Sequence, residues 1–261
     1  MSDPLAVISE LPGVPEAVQD ARTAVDRLYG HRMLRRRGPE VSAESALRGA
    51  RASAALEGAD IPLESLRSGE AESPVAQGAL RASSEVGRLG KTWRTAPRQV
   101  LARLHALAAA DLADEDLLGR PRTGPAASDL LGLGPGPGAE AAAARIASLV
   151  TLVATPSKAP ALVLAAIVHA ELIVLRPFGV ADGLVARAAE RLTLVEFGLD
   201  PKSLVAIEVG HVDLGPAYVE GLRGYLKGTG EGVAGWVRHC AAAVELGARE
   251  STAICEALQR G

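Results

Sequence analysis

The chain has 261 residues and a formal net charge of −3; hydrophobic residues make up 48% of it and aromatic residues only 3%. The near-neutral charge excludes a global field that would attract nucleic acid or anionic lipid, so neither a nucleic-acid nor a membrane partner is predicted. Most of the hydrophobic residues are Ala, Leu and Val. Ala and Leu favour helices, and the sequence has no aromatic-rich segments of the kind that form strands. The composition therefore predicts a soluble, mainly helical protein.

The cysteines and the apolar runs predict a cytoplasmic location. Cys240 and Cys255 would lie about 22 Å apart on one helix, whereas a disulfide needs Cα atoms within about 7 Å. Two reduced, buried thiols are therefore predicted. The first residues lack the basic and apolar regions of a secretory signal. The longest apolar run, 161–175, is too short and too polar to span a bilayer.

The first part of the chain has the spacing of two helices. Apolar residues from Val14 to about Arg36 recur with helical periodicity, and Gly38-Pro39 then predicts a break. Ser42 is expected to cap the next helix, which extends to about Leu56. The basic run 31–37 is interpreted as a solvated helix end, with a phosphate or an acidic partner as the alternative.

Later helical patterns are separated by segments rich in Gly and Pro. They cover 75–90, 98–110, 139–154, 161–175 and 184–197, followed by two or three helices in the tail. The segment GLGPGPG, at 132–138, is of low complexity and predicts a mobile surface loop that is either idle or a contact surface.

The segment LIVLRPFGVADGLVARAAERL, at 172–192, has the order helix, Pro-Phe, Gly-rich turn, helix. Such a turn directs backbone N–H groups at whatever lies above the second helix, which makes an anion cradle. Arg187, one turn into that helix, adds a planar fork suited to phosphate. The alternative is a plain helix connection with a surface arginine, since Gly-rich turns by themselves are weak signals.

Residues 176–187 resemble the Fic motif, HPFx[D/E]GNGRxxR. Four of its nine specified positions match, namely Pro177, Phe178, Gly183 and Arg187. Five depart: Arg176 replaces the His, Val180 the acid, Ala181 the first Gly, Asp182 the Asn and Leu184 the first Arg.

The surroundings of this segment extend the resemblance over roughly 45–245. Residues 53–58, with Ser53 and Glu57, are similar to the family's inhibitory pattern [S/T]xxxE[G/N], and 104–122 resembles the helix before the family's flap. The resemblance implies a Fic-like helical bundle in a single domain, with one small β-hairpin flap near 118–130. Its implied parts are N-terminal helices at 1–95, a core at 96–200 and closing helices at 201–261.

Active members of the Fic family transfer AMP from ATP to a protein hydroxyl, and the substitutions conflict with that chemistry. Arg176 stands at the position of the general base, but a guanidinium has no lone pair to accept a proton. Val180 offers no oxygen to Mg²⁺, so magnesium is doubtful and no metal site is predicted. Asp182 puts a carboxylate where the phosphate would lie, and it can itself cap the second helix. By resemblance, Asp182, Gly183 and Arg187 are the ligand- or phosphate-binding positions.

The remaining side chains are interpreted as structural. Pro177 and Phe178 would support the turn. His169 and His105 are interpreted as core histidines, because neither pairs with a cysteine or an acid at a metal-ligand spacing. By resemblance, Glu57 and Arg187 are expected to form a partly buried ion pair that locks an early helix to the core.

Two functions follow from these substitutions. The favoured one is a degenerate Fic-like protein that is inactive in AMP transfer and acts as a binding or scaffolding protein, holding ATP, another nucleotide or another anion weakly. The alternative is a transferase of altered chemistry that uses Arg176 as a phosphate clamp. The partner would be a protein that the sequence does not identify, and a homodimer is left open.

Overall fold

The computed structural model describes residues 3–126 and 129–260, and these residues form twelve α-helices, with a short 3-10 turn at Glu115–Leu117. The helix bounds are α1 Pro4–Ser9, α2 Val14–Tyr29, α3 Leu34–Leu56, α4 Leu63–Ser68, α5 Pro74–Thr95, α6 Pro97–Ala108, α7 Ala139–Ala154, α8 Ala161–Leu175, α9 Asp182–Glu196, α10 Ile207–Asp213, α11 Pro216–Leu226 and α12 Gly230–Arg260. No strand occurs among the described residues, which confirms the mainly helical prediction.

Helix α8 lies at the centre of the molecule. Apart from Ala161 and Glu171, all of its residues are buried, as expected for a run that is apolar on every face. It packs most extensively against α9, which in turn lies against α5. The helix ends at Leu175 because Arg176 takes a left-handed conformation and the following proline cannot continue the helix.

The last helix, α12, packs against helices from both the beginning and the end of the chain. It packs along α2 and against α10 and α11. Small residues permit this close approach: a Cβ at Gly210 of α10 would lie only 2.1 Å from the carbonyl oxygen of Ala243 in α12. Cys240 and Cys255 both lie on α12 as buried free thiols.

The predicted helix from Val14 to about Arg36 is wrong at its end, because α2 already ends at Tyr29. The break predicted at Gly38-Pro39 is present as a kink within α3, where Arg37 is non-helical with φ −126° and ψ 25° and two helical pieces meet. Pro39 is tolerated because it lies in the first turn after the kink, where a backbone N–H has no helical partner.

The predicted capping role of Ser42 is also wrong. The residue lies inside α3, and its hydroxyl donates to the carbonyl of Ser203 at 3.2 Å. The side chain therefore ties α3 to the segment before α10 instead of starting a helix.

The predicted β-hairpin flap near 118–130 is wrong for the described residues 118–126 and 129–130, which form turns and irregular backbone. The backbone N–H of Arg122 donates to the carbonyl of Pro177, and its guanidinium donates to the carbonyls of Arg176 and Pro137. These hydrogen bonds fasten the segment to the turn after α8. The donor groups that they use are therefore not available for pairing with a second strand.

Among the described residues, no helix has both the length and the apolar character needed to cross a membrane.

Candidate functional site

The turn between α8 and α9 closes on a carboxylate of its own. Both oxygens of Asp182 accept backbone hydrogen bonds, from Phe178 at 2.9 Å and from Gly179 at 2.8 Å. Two non-glycine residues of the turn, Arg176 and Ala181, have positive φ values of 46° and 55°, which is costly for side chains with a Cβ. The bonds to Asp182 stabilise this strained path, and they occupy N–H groups that would otherwise face an anion.

The environment of Asp182 changes its acidity. Burial raises the pKa of its carboxyl to about 7, since the two backbone N–H donors offset only part of that shift and the nearby Glu57 carboxylate adds to it. The expectation that Asp182 caps α9 is wrong, because Ala181 occupies the N-cap position and Asp182 bonds backward to the turn.

Glu57, at the end of α3, lies over the first turn of α9. Its Oε1 would be 1.9 Å from a Cβ at position 183, so the carboxylate approaches this closely only because the residue there is Gly183. The same oxygen accepts a hydrogen bond from Arg187 Nη2 at 2.7 Å. The predicted ion pair between Glu57 and Arg187 is therefore present. The side chain of Glu57 is 11% exposed and that of Arg187 is 0% exposed.

Arg187 is held on several sides. Its Nε donates to the Ser53 hydroxyl at 2.8 Å and its Nη2 to the Ser53 carbonyl at 3.0 Å, while Nη1 donates to the hydroxyl of Tyr218 at 3.3 Å. Ser53 and Glu57 thus act together, one helical turn apart, on a single guanidinium. Arg187 is engaged from both α3 and α11 instead of being extended toward open solvent.

Arg176, the residue that follows α8, is tied to the Gly/Pro-rich loop. Its Nη2 donates to the carbonyl of Gly134, and its Nη1 lies 3.5 Å from Asp129 Oδ1. The Asp129 carboxylate also accepts the N–H groups of Leu133 at 2.9 Å and Gly134 at 2.8 Å. The prediction of a mobile surface loop at 132–138 is therefore corrected in part, since this loop is half-buried and bonded to the turn.

The pocket that these groups surround is small. Its volume is about 60 Å³, and it is lined by the turn residues, Glu57 and the loop from Asp129 to Leu133. Pockets that take a nucleotide-sized ligand usually enclose roughly 300–1,000 Å³. The groups present do not fit Mg²⁺ either, because Val180 supplies no oxygen and both oxygens of Asp182 accept backbone N–H groups.

Comparison with protein-family models and with curated proteins found no match. Among solved structures, the chain is similar to a crystal structure of a Fic family protein from Desulfovibrio desulfuricans G20 at 2.70 Å resolution. The TM-score is 0.74 and the sequence identity is 20%, over 91% of this chain and 74% of that chain. The chain has the Fic fold. The expected fold is confirmed.

In this Fic fold, His105 packs against the turn between α8 and α9. Its ring stacks on Phe178 with centroids 4.1 Å apart, and its Nδ1 accepts the N–H of Gly119 at 2.9 Å. Burial lowers the pKa of His105 to about 4, so the ring is neutral at physiological pH. The histidine is held by the N–H of Gly119 and by its stacking on Phe178, which agrees with its predicted structural role.

His169 differs from the prediction, because it does pair with an acid. Its Nδ1 lies 2.6 Å from Oε2 of Glu190, and its Nε2 lies 2.8 Å from the hydroxyl of Tyr218. His211, on α10, contacts the same oxygen of Glu190 at 2.9 Å. Sequence spacing missed this cluster because its members are far apart along the chain. The one available signal was Glu190, an acid three residues after Arg187 on the inner side of α9.

Proposed function

We propose that this protein has the Fic fold without nucleotide-transfer activity, and that it acts by binding another protein. The observation that carries the proposal is that two carboxylates of the chain occupy the anion-binding groups of the turn. Asp182 takes the N–H groups of Phe178 and Gly179, and Glu57 lies over the helix terminus and pairs with Arg187.

The chemistry of the side chains supports the same conclusion. Transfer to a hydroxyl needs a group that removes its proton within hydrogen-bond reach. Arg176 has no lone pair for that proton and is bonded to the loop at Gly134. His105 is neutral, but it is stacked beneath Phe178 and is not among the residues that line the pocket. Neither group is suited to act as the general base.

A protein-binding role is supported by the surface beside the turn. The loop from Asp129 to Leu133 is fastened by hydrogen bonds, yet it leaves the side chain of Leu130 66% exposed. Leu117, in the segment before the loop, is 53% exposed. Exposed leucines on bonded loops offer a partner apolar contact at a low cost in conformational entropy.

The proposal is tested by calorimetric titration with ATP, ADP, GTP and CDP-choline, with and without Mg²⁺. We expect the wild type to bind none of them more tightly than about 1 mM. Glu57→Gly should admit a phosphate weakly, and the double variant with Arg187→Ala should lose that binding. Asp60→Gly, in the exposed loop after α3, is the matched control and should behave as the wild type. Micromolar binding by the wild type, or transfer of a labelled group to a protein, would overturn the proposal.

The alternative, a transferase that uses Arg176 as a phosphate clamp, requires this side chain to leave Gly134 and Asp129. The same titration separates the two functions. Wild-type binding that disappears in Arg176→Ala, with Arg122→Ala tested as a neighbouring arginine that also bonds to the loop, would favour the altered enzyme.

A further inference from the structure

A second polar cluster lies behind the turn, within the apolar core. His169 of α8, Glu190 of α9 and His211 of α10 are each 0% exposed. Oε2 of Glu190 lies 2.6 Å from His169 Nδ1 and 2.9 Å from His211 Nε2. One ligand atom from each of the three side chains falls within 4.8 Å of the others. Three helices thus direct two imidazoles and a carboxylate at one point.

The carboxylate of Glu190 is incompletely compensated. Its ion-pair partners among the described residues are the two histidines, and its Oε1 is buried with no other partner there than the thiol of Cys240, a weak donor that contacts the carboxylate. A buried ionised carboxylate is costly unless it is paired or coordinates a metal. A cation at this point would supply the missing charge.

The outer nitrogens of the two histidines are also held in place. His169 Nε2 lies 2.8 Å from the hydroxyl of Tyr218, and His211 Nδ1 lies 3.0 Å from Nε2 of His239. Histidines that bind metals are usually oriented by such a hydrogen bond at the nitrogen that faces away from the ion. Both inner nitrogens therefore point at Glu190 in fixed ring orientations.

We propose that His169, Glu190 and His211 bind a divalent transition-metal ion, with Zn²⁺ the best match to two imidazoles and a carboxylate. Ligands about 2.0–2.1 Å from a tetrahedral ion lie roughly 3.3 Å apart, so the present hydrogen-bond distances must open by about half an ångström. The buried thiol of Cys240, which hydrogen-bonds Glu190, is a group that could take the fourth position once it is deprotonated. The site would join α8, α9, α10 and α12 in the core.

The ion would be structural, because the site is enclosed and none of its three ligands lines the pocket at the turn. Metal binding and nucleotide binding are measured separately, so the failure of the metal site can be distinguished from the failure of the function proposed for the turn. The competing account is a polar core in which the two histidines donate to Glu190 and no ion binds.

The experiment uses untagged protein that has been unfolded with chelator and refolded with one equivalent of Co²⁺, since a buried site is loaded most readily during folding. We expect the visible absorption of four-coordinate Co²⁺ at a stoichiometry of one and its loss when Zn²⁺ is added. His211→Gln keeps an amide that hydrogen-bonds Glu190 but should weaken binding about 100-fold. The partly exposed His31, changed to Gln, is the matched control and should leave binding unchanged.

A variant-independent measurement guards against a His211→Gln protein that does not fold. X-ray absorption of the Zn²⁺-loaded wild type should show two imidazole ligands. Absence of stoichiometric metal in the refolded wild type, a metal centre with fewer than two imidazoles, or equal Co²⁺ binding by folded His211→Gln would each overturn the site and favour the metal-free polar core.

Discussion

Asp182 illustrates how one side chain changes what a turn can hold. Its carboxylate takes the N–H groups of Phe178 and Gly179. The benefit is a self-contained turn, and the cost is a charge that is almost fully buried. The same burial raises the pKa of the Asp182 carboxyl to about 7.

This cost predicts a pH dependence. An acid whose pKa is higher in the folded than in the unfolded chain binds its proton more tightly when folded, so its contribution to stability falls as the pH rises from about 4 to 7. We expect the stability of Asp182→Asn relative to the wild type to increase by roughly 2 kcal/mol between pH 5 and pH 8. Thermal melts across this range measure it. Asp20→Asn, at an exposed position of α2, should give a profile parallel to the wild type, and a parallel profile for Asp182→Asn would contradict the argument.

At the level of the helices, the ion pair of Glu57 and Arg187 joins α3 to α9, and its arginine is fully buried. Arg187 is 0% exposed, so removing its partner leaves a buried charge supported by Ser53 and Tyr218 alone among the contacts described. Breaking such a pair is more costly than its net contribution to folding, because the remaining charge stays desolvated.

We therefore expect Glu57→Gln to lower the free energy of unfolding by about 3 kcal/mol and the melting temperature by roughly 6–12 °C. Differential scanning calorimetry measures the shift. Glu64→Gln removes a carboxylate that is 80% exposed and pairs with Arg67 on the surface, so its melting temperature should match the wild type. A Glu57→Gln protein that melts with that control would show that the pair is not a lock.

Two glycines of α5 provide a second prediction at the level of helix packing. A Cβ at Gly78 would lie 2.1 Å from the carbonyl oxygen of Ala108, whereas one at Gly87 meets nothing within 4 Å. Gly78→Ala should therefore destabilise the protein by about 1–3 kcal/mol, because α5 and α6 must move apart. Gly87→Ala, on the same helix, should stabilise it by about 0.5–1 kcal/mol through helix propensity. Chemical denaturation distinguishes the two, and equal signs would refute the packing argument.

At the scale of the molecule, a continuous polar chain crosses the apolar core. It starts at the pair of Glu57 and Arg187 and continues through hydrogen bonds along Tyr218, His169, Glu190, His211 and His239. These residues come from helices α3, α9, α11, α8, α10 and α12. In a core built mainly from Ala, Leu and Val, a directional network of this kind selects one arrangement of the helices, which apolar contacts alone do not.

The sequence by itself determined what depends on local patterns. The periodicity and the Gly and Pro positions predicted the helices around 139–154 and 161–175, and the residue types at 176–187 ruled out a general base at Arg176. Residue spacing with the family resemblance also predicted the pair of Glu57 and Arg187. These features could be predicted because each is visible within a short stretch of chain. Helical periodicity, the chemistry of an arginine side chain and the spacing of a motif do not depend on how the helices pack.

The tertiary structure alone decided what depends on groups distant in sequence. It directed the Asp182 carboxylate back to the turn instead of forward as a helix cap, and it fastened the loop at 132–138 through Arg176. It also brought Glu190 between His169 and His211. The positions of these three residues along the sequence give no sign that they are in contact. The physical reason is that burial and hydrogen-bond geometry are set by how helices pack, and the packing of α8, α9 and α10 is not contained in any local pattern.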